Sequence, residues 1–529
     1  MNLMRKTLAL AVAALAVAAS VAGIAGAGSA GAATSPTVST ANGEVQGTVT
    51  ADNRVFLGIP YAAPPTGNLR WEPPQPAADW SGVLNATQPG PECAQVEELS
   101  GDTLAGSENC LNLNVYTPVS SSPATLPVMI FIPGGGYVFG SNNTVNPSVL
   151  AATEHMIVVT INYRLGALGF LDLPSLSSEN AAAAGNFGLL DQQAAMKWVQ
   201  ANIANFGGDP SRVTIAGEST GGASVLANMI SPTAAGLFHG AIVESGAGTG
   251  FTTQAAAQAQ GAAFAASVGC TNPATQLACL RALPMDTILS NELDNAPPIL
   301  LPTDMVWSPT VGGSDLPNMP AAAFASGSYN KVPILQGTNH DEWRLFAGVQ
   351  MLQGDVLTAS SYVGLMDYLF GSRAASVLAV YPSSNYSSPD AAYAAVATDE
   401  GFVCHARTID QAVSQTVPVY AYEFNDPNAP EPFTVPGFPL GAYHTAELLY
   451  VFPTAGFPGF TAAQVALSDQ IMTYWGDFVA YSTPNPGPPT WLPYNNVSDW
   501  FMSLAPSNTG MISTFSAEHN CSFWASFGV

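Results

Sequence analysis

The sequence runs to 529 residues and carries 37 acidic side chains against 12 basic ones, a formal net charge of −25. That balance sets aside nucleic acid and anionic membrane surfaces as partners. Charged residues are only 9% of the chain, against roughly 25% in an ordinary soluble domain. The surface is therefore expected to consist mostly of Ser, Thr, Asn, Gln and exposed Ala, not the dense carboxylates of a halophile.

Residues 1–33 place Arg5 and Lys6 ahead of a long Ala/Val/Leu run that ends in Ala30-Gly31-Ala32-Ala33. A basic start, an apolar middle and small residues at the end read as a secretory signal peptide, which predicts an extracellular protein. Its removal would take the formal charge from −25 to −27. No later stretch reads as long and apolar enough to cross a bilayer, so no stable membrane insertion is expected. The remaining punctuation is loop-sized, and residues 34–529 are predicted to form one catalytic domain.

Six cysteines in an exported chain suggest three bridges. Cys93 with Cys110 and Cys270 with Cys279 are close in sequence and pair most simply, leaving Cys404 for Cys521. None has Cys/His spacing suited to zinc, and no metal is predicted.

Residues 36–57 alternate apolar and polar around Asn42-Gly43 and Asp52-Asn53, so hairpin strands at a sheet edge are expected. The runs 113–117, 128–132 and 157–162 are short and β-branched, as buried strands are. Residues 192–206 put Ala195, Trp198, Val199, Ile203 and Phe206 on one helical face. Further strands are predicted at 241–244, 332–336 and 417–424, with an Ala-rich helix over 254–268 and proline-rich loops over 297–309 and 427–439. Strand and helix in alternation predict an α/β fold, a mostly parallel twisted sheet with helices on both faces and an N-terminal antiparallel edge.

The organising motif is Gly217-Glu218-Ser219-Thr220-Gly221, where an apolar strand breaks into glycines and restarts as a helix over 223–230. Strand, G-x-S-x-G and helix in that order make a nucleophile elbow, which lifts the serine hydroxyl above the sheet edge. The helix start aims unpaired N–H groups at that point. A serine needs a base and a third group to orient the base. Glu342, directly after a predicted strand, is the acid candidate, with Asp341 as its rival. His444, where a loop meets a helix, is the base candidate. His405 lies beside a predicted bridge, and His340 is too close to the acid to be its ordered partner. A third motif, Pro133-Gly134-Gly135-Gly136-Tyr137, follows a strand and lets backbone N–H groups approach a substrate oxygen together with that of Thr220.

These motifs, with Gly58-Ile59-Pro60-Tyr61-Ala62, Cys110-Leu111-Asn112-Leu113-Asn114-Val115, Asn162-Tyr163-Arg164-Leu165-Gly166, Asn186-Phe187-Gly188-Leu189-Leu190-Asp191-Gln192 and Phe206-Gly207-Gly208-Asp209-Pro210, resemble the type-B carboxylesterases. That family of α/β-hydrolases includes cholinesterases, bacterial esterases and some fungal lipases. The resemblance covers nearly the whole chain after residue 33. It implies Ser219 as nucleophile, Glu342 as acid, His444 as base, and Gly135, Gly136 and Thr220 as oxyanion donors. Ser245 matches a serine thought to support the acid, while Glu218 and the Arg164/Asp191 pair are supporting residues. The family's disulfide pairing agrees with the one read from spacing.

Two departures stand out. Pro133 occupies a position usually His or aromatic and has no N–H to give, although the expected donors lie two and three residues later. Thr220 stands where alanine is usual, and its β-branch is expected to crowd the acyl side. The resemblance implies hydrolysis of a small-molecule ester through an acyl-serine, with no cofactor and with activity falling in acid as the histidine protonates. The loop over 94–109 is short, polar and free of aromatics, which argues against a lipase lid and a choline-binding tryptophan. A secreted esterase for short to medium acyl chains is the expectation. An interfacial lipase, whose acyl site Tyr137, Trp307 and Phe346 would line, is the alternative, and a catalytically weak adhesion module is a third reading. Oligomeric state is not readable from the sequence.

Overall fold

The computed structural model describes residues 36–96, 103–119, 125–179, 185–246, 250–293, 300–454, 459–485 and 490–529. The predicted signal peptide, part of the 94–109 loop and part of the 297–309 stretch lie outside the described residues.

Among the described residues, eleven strands form the main sheet: β1 (Thr48–Val49), β2 (Asn53–Pro60), β3 (Asn112–Pro118), β4 (Leu126–Ile132), β5 (Ile157–Ile161), β6 (Gly208–Glu218), β7 (Gly240–Glu244), β8 (Ile334–Asn339), β9 (Val419–Phe424), β10 (Phe501–Leu504) and β11 (Gly510–Ile512). Their spatial order is β11-β10-β9-β8-β7-β6-β4-β5-β3-β2-β1. From β5 through β10 every pairing is parallel, while β3, β2 and β1 close one edge antiparallel and β11 closes the other. Every residue of β5, β7, β8 and β9 is buried. Alternate side chains of a strand point to opposite faces, so both faces of the sheet centre are covered. This is the α/β-hydrolase architecture expected from the sequence.

The N-terminal hairpin differs from expectation in where it sits. Thr37–Thr40 and Gly43–Gln46 pair antiparallel but join Val83–Asn85 in a separate three-stranded sheet. The chain reaches the main sheet only after Gly47, where an added Cβ would lie 2.4 Å from the Val55 carbonyl oxygen. The helix predicted over 192–206 begins earlier, at α1 (Phe187–Asn202), and tightens into a 3-10 turn over Ile203–Phe206.

Ala359–Asn385 is long and apolar enough by composition to span a bilayer, with a mean hydropathy of 1.2, which corrects the reading that no later stretch is. The fold breaks it into helices Ala359–Phe370 and Ala374–Val380 at Gly371, whose φ is +53°. Twelve and seven residues fall well below the roughly 20 a spanning helix needs.

All three predicted bridges are present: Cys93–Cys110, Cys270–Cys279 and Cys404–Cys521. The last ties the C-terminal segment to the helix Cys404–Val413 across a sequence separation of 117.

Candidate active site

The site forms at the carboxyl ends of parallel strands, where open α/β sheets place ligands. Strand β6 ends at Glu218, and the helix α2 (Thr220–Ile230) begins one residue after Ser219. Ser219 adopts φ 57° and ψ −127°, a conformation that L-residues avoid, and its N–H donates to the Glu244 carbonyl at 2.9 Å. Close packing enforces this turn. A Cβ on Gly217 would meet Gly221 atoms at 2.5 Å, and one on Gly221 would meet the Ile132 carbonyl oxygen at 2.1 Å. Only glycine fits at either place, so the strained serine is held by its neighbours.

His444 lies in the loop before the short helix Leu448–Val451, and Glu342 lies three residues beyond β8. His444 Nδ1 is 2.6 Å from Glu342 Oε2, and the His444 N–H donates to the Glu342 carbonyl at 3.2 Å. The Asn339 N–H donates to Glu342 Oε1 at 2.8 Å. Both side chains are buried. The rival carboxylate is turned away from the imidazole: Asp341 pairs with Arg344 at 3.1 Å and accepts the Ala442 N–H at 3.1 Å.

The second imidazole nitrogen faces the elbow. His444 Nε2 is 3.2 Å from Glu218 Oε1, a close approach outside hydrogen-bonding geometry. Glu218 thus touches the histidine directly, a contact the sequence did not reveal. Burial raises its pKa well above the ordinary carboxylate value, and Glu447, Glu342 and Glu244 raise it further. Glu447 and Glu244 are raised in the same direction, burial again being the largest cause. Burial thus favours the protonated form of these carboxyls, which works against storing negative charge beside Glu342. Glu447 accepts a hydrogen bond from Asn339 Nδ2, and Glu244 accepts one from Trp475 Nε1 at 3.3 Å.

Ser245 sits at φ 50° with its N–H on the Gly337 carbonyl at 2.9 Å. Its Oγ is buried without a hydrogen-bond partner among the described residues. The hydrogen bond to the Glu342 carboxyl comes instead from the Asn339 backbone.

The glycine loop abuts the elbow. A Cβ on Gly134 would lie 3.0 Å from Ser219 Cβ, and one on Gly221 would lie 3.1 Å from the Gly134 nitrogen. Gly135, Gly136 and Tyr137 all have positive φ, at 113°, 60° and 61°. Thr220 turns its hydroxyl to the glycine loop. It is 1% exposed, and its Oγ1 accepts the Tyr137 N–H at 3.3 Å. The loop is pinned twice more, by Tyr163 Oη donating to the Pro133 carbonyl at 2.9 Å and by the Gly166 N–H donating to the Tyr137 carbonyl at 2.7 Å. Pro133 therefore contributes its carbonyl, where its missing N–H had been the concern.

The three predicted acyl-site aromatics part company. Tyr137 is fully buried against Phe170, and Trp307 is buried against Phe264. Phe346 lies on His444 at 5.2 Å between ring centroids, joined by Phe402 at 5.1 Å, which the sequence had not marked. Arg164 and Asp191 form a buried bidentate pair at 2.7 and 2.8 Å.

A model of the carboxylesterase family matches residues 34–524. The chain is 35% identical over 477 residues to the para-nitrobenzyl esterase of Bacillus subtilis (strain 168), covering 87% of this chain and 93% of that protein. It is 32% identical over 529 residues to the cocaine esterase of Homo sapiens, covering 93% and 91%. It is also 34% identical over 496 residues to the crystal protein of Dictyostelium discoideum, covering 90% and 86%.

The chain belongs to the carboxylesterase family. It is a carboxylic-ester hydrolase of type B. This carboxylesterase brings Ser219, His444, Glu342, Gly135, Gly136 and Thr220 to the carboxyl ends of β4, β6 and β8 and to the loop before Leu448–Val451. Among the described residues, the grouping with metal-ligand spacing is His340, Glu423 and His519, outside this set.

Proposed function

We propose that the protein is a secreted serine esterase that hydrolyses esters of short to medium acyl chain through an acyl-serine intermediate. The observation that carries this reading is the His444 imidazole, held at Nδ1 by Glu342 at 2.6 Å, with Nε2 3.2 Å from Oε1 of Glu218, the residue before Ser219 at the strained elbow. In this reading residues 1–33 are a signal peptide and residues 34–529 a single catalytic domain. Three disulfides fit an extracellular setting.

Ser219 Oγ attacks the ester carbonyl while His444 Nε2 takes its proton. Glu342 accepts from Nδ1–H, fixing the tautomer and stabilising the imidazolium that forms. The N–H groups of Gly135, Gly136 and Thr220 receive the negative charge that develops on the carbonyl oxygen, each donor being worth about 10²- to 10³-fold in turnover. Collapse expels the alcohol, which takes the proton from His444. Water then repeats the sequence, with His444 as base, and releases the acid and free Ser219. Glu218 adjoins Nε2, and its burial favours the protonated form of its carboxyl.

The acyl preference rests on the aromatic-free sequence of residues 94–109 and on the burial of Tyr137 and Trp307, which leaves Phe346 and Phe402 as the rings on His444. The test is chromogenic ester hydrolysis from acetyl to palmitoyl, with and without emulsified substrate, beside Ser219→Ala. A serine-dependent maximum at short or medium chains supports the proposal. A long-chain maximum that jumps on emulsification replaces it with a lipase. Folded wild type as silent as Ser219→Ala on every ester overturns it in favour of a binding module.

A further inference from the structure

A second constellation lies two residues before Glu342 in the same turn. His340, Glu423 and His519 each offer one ligand atom, and those atoms all lie within 4.8 Å of one another. They come from three places: the turn after β8, strand β9, and the segment just before Cys521. We propose that these three residues form a zinc-class divalent metal site, distinct from the esterolytic groups.

Three observations support it. The donor set, two imidazoles and one carboxylate, is the set that zinc and neighbouring transition metals prefer over calcium or magnesium. The histidines are also oriented from outside: His519 Nδ1 is 2.6 Å from Asp399 Oδ1, and His340 Nδ1 is 3.4 Å from Asp341 Oδ1. A carboxylate behind a ligating histidine is the outer-shell arrangement that fixes its tautomer and raises its basicity. Asp399 is itself fixed by Tyr381 Oη at 2.7 Å, which receives Trp524 Nε1–H at 2.7 Å. Charge supplies the third observation. Asp399 and Glu423 are buried carboxylates flanking one imidazole, and an ion on that imidazole's Nε2 would place positive charge beside them.

The distances decide how much must move. Zinc bonds of about 2.0 to 2.2 Å in tetrahedral array put ligand atoms about 3.3 Å apart. His519 Nε2 and Glu423 Oε1 are 2.7 Å apart and hydrogen-bonded, so the ion would replace that proton and open the pair by about half an ångström. His340 closes the remaining gap. Its side chain is 36% exposed, which gives it room to turn and gives the ion a path in. The fourth position would then face solvent beside His340.

Occupancy would stiffen the acid turn. His340 N–H donates to the Phe424 carbonyl at 3.0 Å, and Asp341 N–H donates to the Ala442 carbonyl at 2.9 Å, two residues before His444. A metal joining His340 to β9 and to the Cys521 segment adds a cross-link behind the turn.

The experiment uses untagged, chelator-stripped mature protein. Zn2+ is titrated against a competing chromophoric chelator, and Co2+ is added separately for its visible ligand-field spectrum. The proposal expects one high-affinity equivalent per chain and the intense bands of low-symmetry four-coordinate cobalt. His340→Ala, at a half-buried position that leaves the core intact, should abolish both. Asp399→Asn should weaken zinc by about 10- to 100-fold, as loss of an outer-shell partner does. His239→Ala, outside the grouping, should change neither. Absence of a high-affinity equivalent in wild type overturns the proposal, as does an equivalent that His340→Ala leaves intact. In either case His519 serves only as the counter-ion of Asp399 and Glu423.

Discussion

Glu292→Gln should remove a pH dependence of stability that the wild type carries. Glu292 is 2% exposed, and its Oε2 accepts the Ala167 N–H at 2.9 Å, in the first turn of the helix Gly166–Phe170. Burial raises its pKa from 4.5 to about 8, with the Ala167 N–H pulling the other way. A carboxyl raised in the folded state keeps a proton that the unfolded chain has already released. Its contribution is therefore complete below the unfolded value of 4.5 and is lost as pH rises through about 8. The span of 3.5 units corresponds to about 5 kcal/mol, of which about 3 kcal/mol is gone by pH 7. Glutamine keeps an oxygen to accept the Ala167 N–H and never ionises. Urea unfolding of both proteins, across the interval from about pH 4.5 to 9, reads the difference. The two curves should nearly coincide at the acid end, the variant becoming more stable by about 3 kcal/mol near neutrality. A gap that stays flat across the interval would falsify the idea that the folded state holds this carboxyl neutral.

The oxyanion loop gives a second expectation. Thr220→Val keeps the shape but leaves the Tyr137 N–H without its acceptor at 3.3 Å, which should cost about 1–3 kcal/mol in stability. Turnover should fall with KM little changed, and Thr220→Ser should restore it; a valine variant matching wild type in steady-state kinetics would show that the hydroxyl does not position the loop. Glu342→Gln should lower kcat by about 10⁴-fold through loss of imidazole orientation, while Asp341→Asn leaves that step in place. Equal losses in the two variants would return the acid assignment to its rival. Joint replacement of Cys404 and Cys521 by Ser opens a loop with a sequence separation of 117, a loss of about 5 kcal/mol on chain-entropy grounds. An unchanged denaturant midpoint would show that the helix Cys404–Val413 and the C-terminal segment are held by packing alone.

Much of the site could be read without coordinates because its parts are local. An elbow needs two small residues around a serine at fixed spacing, and Gly217 and Gly221 meet their neighbours at 2.5 and 2.1 Å once a Cβ is added. The first clash lies within five consecutive residues, so sequence spacing records it, whereas the second is with the Ile132 carbonyl on β4. Glu342 and His444 were legible for a related reason, each lying just past a β-branched run or just before a helix. Phe402 was not, since nothing in its neighbourhood indicates that the chain returns it to His444 at 5.1 Å.

Thr220 shows what local reading leaves open. Its β-branch is visible in the sequence, but the direction of its hydroxyl depends on the positive-φ run of Gly135, Gly136 and Tyr137 in another loop. Glu218 and Glu244 are adjacent to motif serines by number, yet their raised pKa values come from burial at the centre of a doubly covered sheet.

By itself the sequence determined the parallel core, the elbow, the chain order of Ser219, Glu342 and His444, and the pairing of cysteines. Each is set by periodicity, steric spacing or a small number of pairings, quantities that a linear chain carries. Tertiary structure alone decided which carboxylate faces His444, where Thr220 points, and that His340, Glu423 and His519 converge. Those depend on how distant segments cross at strand ends, where a displacement of a few ångströms separates a hydrogen bond from no contact and no sequence period reports it.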